Sequence, residues 1–256
     1  MDKGLVIREY KSKKKERKAS ILFVHGAWHG EWCWEKYFIN IFTEEGYDCY
    51  SFNFSLHESV GKKSGINKLR IKDYIEDLSG ALEQFDEEPI VIAHSMGGFI
   101  VQKYLEKTKL DKVILLAPIP ASGVFKVTLK LIFRKKYALL NILRFNLFGL
   151  INTTSKVKWT LFSNDISEDI LDYSTRRMTS ESILVFIQMM LPLIKNRFHL
   201  QSSMLLLAGG NDNLFKVKEI KRTAKKYEAE FKEIEGVAHN MMLDVKHGVV
   251  AEEIFN

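Results

Sequence analysis

Pro89-Ile90-Val91-Ile92-Ala93-His94-Ser95-Met96-Gly97-Gly98 is the stretch that decides the fold. Its first half has the unbroken apolar, β-branched character of a strand buried on both faces. A helical pattern starts at Gly97, so the chain turns from strand to helix at Ser95 itself. So tight a turn brings the positions two before and two after the serine close together, where only small residues fit. Ala93 and Gly97 supply them. The pattern is A-x-S-x-G, with alanine where glycine is more usual. Taken alone, the pentapeptide is equally well explained as an ordinary glycine turn; the rest of the chain decides between the two.

A serine hydroxyl is a weak nucleophile at neutral pH. It needs a base, a group to orient that base, and donors for the developing oxyanion. Upstream, Ile21-Leu22-Phe23-Val24-His25-Gly26-Ala27-Trp28 reads as a buried strand entering a His-Gly turn. That turn offers the backbone N–H of Ala27, and Met96 offers a second from the start of the helix after Ser95. Downstream, an apolar run from Met204 closes on Gly209-Gly210-Asn211-Asp212. Asp212 then stands at the carboxyl end of a strand, where open α/β sheets hold their ligands. An aspartate in such a turn also commonly bonds its own backbone. A last strand ends at Gly236, three residues before His239, which is placed to reach both Ser95 and Asp212. The order Ser95, Asp212, His239 is that of the α/β-hydrolases, not of the two familiar serine protease folds.

With these residues in view, the chain resembles the α/β-hydrolase superfamily, in its lysophospholipase or carboxylesterase-like branch. The matching segments are His25-Gly26-Ala27-Trp28, the turn around Ser95, Gly209-Gly210-Asn211-Asp212 and Gly236-Val237-Ala238-His239-Asn240-Met241-Met242-Leu243. The likeness runs through nearly the whole chain and is least specific after Pro120. One departure is the loop after Phe54: many relatives carry Gly-His-Gly-x-Ser there, whereas this chain has Ser55-Leu56-His57-Glu58-Ser59. No chemistry is assigned to His57 or Ser59, and His25 and His94 are read as supporting residues near the site.

With 256 residues and 46% hydrophobic content, the chain can bury one large core. Strands are expected over 5–10, 19–25, 48–54, 112–117, 204–208 and 230–234 besides the Ser95 strand. Helices are expected over 34–45, 71–84, 97–107, 217–227 and from 245. This alternation predicts an α/β fold: a mostly parallel sheet with an antiparallel start and helices on both faces. The closing helix stops at Phe255-Asn256, so further native residues are expected after it. Pro118 and Pro120 end the strand over 112–117 and begin a helical insertion. The expected division is a core of 1–120 and 199–256 with a helical cap over 121–198. Such a cap walls the nucleophile off from water. Over 124–134, Lys126, Lys130 and Arg134 share one helical face, and Val124, Val127, Leu129, Leu131 and Ile132 are expected against the core or an acyl pocket. The basic face reads either as ordinary solvated helix or as a peripheral contact with anionic lipid headgroups.

Net charge is +6, and the densest basic run is Lys11-Ser12-Lys13-Lys14-Lys15-Glu16-Arg17-Lys18. It has no interleaved aromatics to stack bases, so it is read as a solvated hairpin loop and nucleic acid is not expected as a partner. Cys33 and Cys49 lack metal-ligand spacing and read as reduced core residues; with no secretory signal at Met1-Asp2-Lys3-Gly4, a cytoplasmic protein is expected. The function expected is a serine hydrolase of carboxylic esters with apolar acyl chains, working without metal or organic cofactor. Ser95 is the nucleophile, His239 the base, Asp212 the orienting acid, and Ala27 and Met96 the oxyanion donors. The partner expected is a small-molecule ester or lipid substrate. The same residues also suit a thioesterase, a lysophospholipase, or a cofactor-free lyase or perhydrolase, and the fold also serves as a non-catalytic binding module. Oligomeric state is left open.

Overall fold

The computed structural model describes residues 5–58, 60–61, 64–190, 192 and 202–255, without the side chains of Arg134 and Lys136. Ser59 and the expected insertion boundary at 198/199 lie outside the described residues. Strands are Ile7–Tyr10 (β1), Ser20–Val24 (β2), Asp48–Phe52 (β3), Ile90–His94 (β4), Lys112–Leu116 (β5), Ser203–Gly209 (β6) and Glu230–Ile234 (β7). They form one sheet in the order β1-β3-β2-β4-β5-β6-β7. Only β1 runs antiparallel; every other neighbouring pair is parallel. The α/β-hydrolase architecture expected from the sequence is the one observed.

Between β2 and β3 lie α1 (Trp32–Glu35) and α2 (Phe38–Glu44), so the helix expected over 34–45 is broken at Tyr37. Next come α3 (Ile71–Leu82) before β4 and α4 (Met96–Tyr104) after it. The β5–β6 connection holds α5 (Phe125–Arg134), α6 (Lys136–Leu143), α7 (Thr154–Leu161), α8 (Glu168–Thr175) and α9 (Ile183–Met189). After β6, α10 (Val217–Tyr227) leads to β7, and α11 (His247–Phe255) follows. Helix starts are sealed locally: Thr153, Ser167 and Ser182 cap α7, α8 and α9 through their hydroxyls. Asp73 and Glu219 do so for α3 and α10 by accepting the N–H of Arg70 and Lys216.

Why the central strands are central is visible in their burial. Leu22, Phe23 and Val24 of β2 and Val91, Ile92 and Ala93 of β4 are wholly buried. Phe23 packs against Trp34, Phe38 and Phe42, with ring centroids 4.9, 6.4 and 5.6 Å away. By contrast β1 keeps Arg8 and Glu9 exposed, as an edge strand does.

This difference corrects the hairpin reading of the basic loop. β1 does not pair with β2; it lies against β3, with Ile7 opposite Phe52. A strand as buried as β2 takes two parallel neighbours, and the loop is long enough to step over β3. It is also not freely solvated. Lys13 N–H donates to the Thr43 carbonyl at 2.9 Å and Lys18 N–H to Gly46 at 2.8 Å, while Arg17 reaches Asp48 at 3.3 Å. A second correction concerns α5. Leu129 is exposed, together with Phe125 and Phe133, so the expected inward apolar arc is narrower and centres on Val124. Lys126 is exposed, but Lys130 folds onto the Asn213 carbonyl in the turn after β6. Arg134's side chain lies outside the described residues.

Candidate active site

Parallel strands in register bring their carboxyl ends to one edge of the sheet. Val24 pairs with Ala93, His94 with Leu116, and Leu116 with Leu207. Between β2 and β4 the strand order reverses direction, which opens a crevice at that edge. The His25–Trp28 turn and Ser95 stand on its two sides.

Ser95 has φ +50° and ψ −112°, far from strand or helix values. A side chain held there costs roughly 1–3 kcal/mol and persists because its surroundings fix it. Its N–H donates to the Leu116 carbonyl at 3.0 Å, and its own carbonyl accepts from Ile119 N–H at 3.1 Å. Gly97 is required, as expected, but for a different reason. A Cβ there would strike the carbonyl oxygens of Val24 and His25 at the end of β2, rather than crowd Ala93. Close contact between α4 and β2 is thus what the glycine permits.

The three residues singled out in the sequence meet. His239 Nε2 lies 2.8 Å from Ser95 Oγ, and His239 Nδ1 lies 2.8 Å from Asp212 Oδ2. The His239 and Asp212 side chains are each about 2% exposed. Asp212 uses its two oxygens differently. Oδ1 accepts the N–H groups of Leu214 at 2.7 Å and Phe215 at 3.1 Å, leaving Oδ2 for the imidazole. Ala27 lies in the turn after β2, and Met96 is the first residue of α4, a position whose N–H has no partner inside the helix.

His94, read from the sequence as a supporting residue, and several residues that the sequence did not single out hold this arrangement. His94 Nε2–H donates to the His239 carbonyl at 3.0 Å, tying the turn at Ser95 to the loop that carries His239. Asp244 is fully buried and accepts from Ala238 N–H at 2.6 Å and from the Ser163 hydroxyl at 2.7 Å. Asn240 N–H donates to the Leu161 carbonyl at 2.8 Å, so the β5–β6 insertion grips both sides of His239. His29 Nδ1–H donates to the Ala27 carbonyl at 2.7 Å and sets that turn. The insertion reaches the same turn, for Thr179 N–H donates to the Trp28 carbonyl at 3.0 Å. Each contact joins residues far apart in sequence, or uses a residue type with many other uses, so no local signal marks it.

His57 is a further such anchor. Its Nε2 is 3.2 Å from Glu181 Oε2, and Glu181 Oε1 also accepts from Tyr74 at 2.6 Å and Ser182 N–H at 2.8 Å. This buried pair joins the loop after β3 to the insertion. Removing one member would leave a buried charge unmatched, a loss on the order of 3–5 kcal/mol.

The buried histidines give the protein a pH dependence with a definite sign. Burial lowers the pKa of His25 and His94 well below 6.5 and that of His29 to about 4. For His57 burial also acts downward, but Glu181 outweighs it and the pKa is raised. A base with a depressed folded pKa gains protons on unfolding, so His25, His29 and His94 favour unfolding as pH falls below about 6.5. His57 contributes stability that is complete below about 6.5 and lost as pH rises through its raised value. The melting temperature should therefore fall steadily from pH 6.5 to 5, since each of three groups contributes up to about 1.4 kcal/mol per pH unit. Thermal melts at fixed ionic strength check this, and a flat profile across that range would show that these histidines do not stay neutral.

Among the described residues, no group of three or more His, Cys, Asp or Glu side chains is arranged to hold a metal ion. Cys33 and Cys49 are buried and unpaired.

Residues 15–246 match the model of the family described as serine aminopeptidase, S33. Methyl jasmonate esterase 1 of Vitis vinifera is 30% identical over 95 residues, 36% of this chain. The matched part spans only about a third of that relative, 35% of its length. Among solved structures, an esterase from Exiguobacterium antarcticum aligns with TM-score 0.71 at 16% identity, covering 98% of this chain and 94% of that one. A bromoperoxidase from Bacillus anthracis aligns with TM-score 0.68, also at 16% identity, covering 98% and 94%. At such identities the two structures share the fold with this chain, and their different names leave the reaction to the site.

Proposed function

The chain belongs to the α/β-hydrolase family described as serine aminopeptidase, S33, and from that premise we propose that it hydrolyses carboxylic esters through a Ser95–His239–Asp212 triad. The observation that carries the reading is the unbroken relay from Ser95 Oγ through His239 to Asp212, with both contacts at 2.8 Å. Ser95 Oγ attacks the acyl carbonyl while its proton passes to His239 Nε2. Asp212 Oδ2 accepts from Nδ1–H throughout and favours the imidazolium so formed. The tetrahedral oxyanion takes hydrogen bonds from the N–H groups of Ala27 and Met96. As the C–O bond breaks, His239 returns the proton to the leaving alcohol, and the acyl group stays on Ser95. Water, deprotonated by the same histidine, then releases the carboxylic acid and restores the serine.

The choice of ester is supported by the esterase named among the relatives. The buried apolar residues of the β5–β6 insertion, such as Val157, Leu161 and Met178, support an acyl chain of several carbons. Each methylene buried in an acyl pocket is worth at most about 0.8 kcal/mol, so kcat/KM should rise a few-fold per carbon until the pocket is full. A fluorophosphonate probe should label Ser95, and p-nitrophenyl esters from acetate to decanoate should show that rise. An optimum at acetate with steep loss beyond would remove the acyl pocket. Turnover of aminoacyl p-nitroanilides with no turnover of the esters would move the reaction to amide cleavage.

A further inference from the structure

Large apolar side chains cover the outer side of α5 and α6. Phe125, Leu129 and Phe133 recur every four residues and form one stripe along α5, with Phe133 83% exposed. On the adjoining α6 and just after it, Leu139, Leu140, Leu143 and Phe145 are exposed as well. Scattered apolar residues on a surface need no explanation, but two touching helices that both turn bulky ones outward do.

What surrounds this face identifies what covers it. Over 112–164 the chain carries nine Lys or Arg residues and no Asp or Glu. The whole chain is only +6, so the remainder is net negative and positive charge is concentrated in the sequence segment that carries the apolar face. Exposed Lys126 flanks the α5 stripe, and exposed Arg144 lies between Leu143 and Phe145. Beside α5 a groove of about 280 Å³ is lined by Lys126, Lys130, Lys216, Lys218 and Arg222, with Glu219 its one acid. A second copy of the chain would set this charge against itself. An anionic partner that also dissolves aromatic and leucine side chains fits both features.

We propose that the α5–α6 face docks on a membrane surface rich in anionic phospholipid, with Phe125, Phe133, Leu140 and Leu143 entering the boundary between headgroups and acyl chains and the Lys and Arg side chains meeting the phosphates. The contact is peripheral: among the described residues no helix is long and apolar enough to cross a membrane. Apolar insertion and headgroup attraction act together here, as in interfacial amphipathic helices. The surface stands whether or not the ester chemistry holds, since none of its residues belongs to the triad. If both hold, the protein draws its esters from the bilayer on which it sits.

Co-sedimentation of the full chain with vesicles tests this directly. Vesicles of phosphatidylcholine with an equal part of phosphatidylglycerol should bind it at least tenfold more tightly than phosphatidylcholine alone, and 0.5 M NaCl should reverse most of the difference. Two double variants separate the components: Phe133→Asp with Leu143→Asp removes insertion, and Lys126→Glu with Arg144→Glu removes headgroup attraction. Each should weaken binding about tenfold or more while keeping the wild-type melting temperature. Equal binding to both vesicles, no binding to either, or wild-type binding by both variants would overturn the proposal. So would a stable dimer that the Phe133→Asp change dissociates, for then a second copy covers the face. Because binding is read without turnover, loss of probe labelling at Ser95 would count against the hydrolase and leave this result standing.

Discussion

Replacing Ser95 with alanine should lower kcat for ester hydrolysis by about 10⁴- to 10⁶-fold, because the relay then ends in a methyl group. The Ala27 and Met96 N–H groups and substrate binding survive the change, so a small rate above that of water should remain. Stability should hardly change. Serine and alanine meet the same backbone constraint at φ +50°, since both carry a Cβ. The side chain loses only its 2.8 Å contact with His239, and the backbone bonds to Leu116 and Ile119 are untouched. Fluorophosphonate labelling should vanish in the same variant while thermal melts match the wild type. A purified Ser95→Ala protein that kept a tenth of the activity would require another nucleophile.

Asp212→Asn should cost about 10⁴-fold in kcat with the turn intact. The geometry explains why the amide cannot escape this loss by flipping. Leu214 and Phe215 both donate to Oδ1, so the carbonyl oxygen of asparagine stays with them and the NH₂ group faces His239. Two donors then oppose each other unless the imidazole carries its proton on Nε2, and in that tautomer it cannot accept from Ser95. KM should change little, since the carboxylate contacts the base and not the substrate. Asp165, Glu168 and Asp169 are acids of the β5–β6 insertion, and all three are exposed near the start of α8. Their amide variants should retain activity. Full turnover in Asp212→Asn together with collapse in one of those three would overturn the assignment.

Much of this protein is legible in its sequence because its decisive signals are local. Runs such as Ile90–Val91–Ile92 and Leu205–Leu206–Leu207 are too apolar to be anything but interior strands. Ser95 and Asp212 each follow such a strand at a turn, His239 follows the edge strand β7, and parallel strands bring their carboxyl ends together. Chain order and strand ends were therefore enough to name three residues that lie in hydrogen-bonding contact. Tertiary structure alone decided the rest. Only the assembled sheet determined that β1 joins β3 across the edge, because strand pairing is a competition among all strands for the most buried neighbours. Only packing brought His94 to the carbonyl of His239 and His57 to Glu181, contacts spanning 145 and 124 residues. The periodicity of α5 showed that its sides differ, yet Leu129 faces water rather than the core. A repeat of 3.6 residues fixes which side chains share a face; the elements packed beside the helix choose which face is covered.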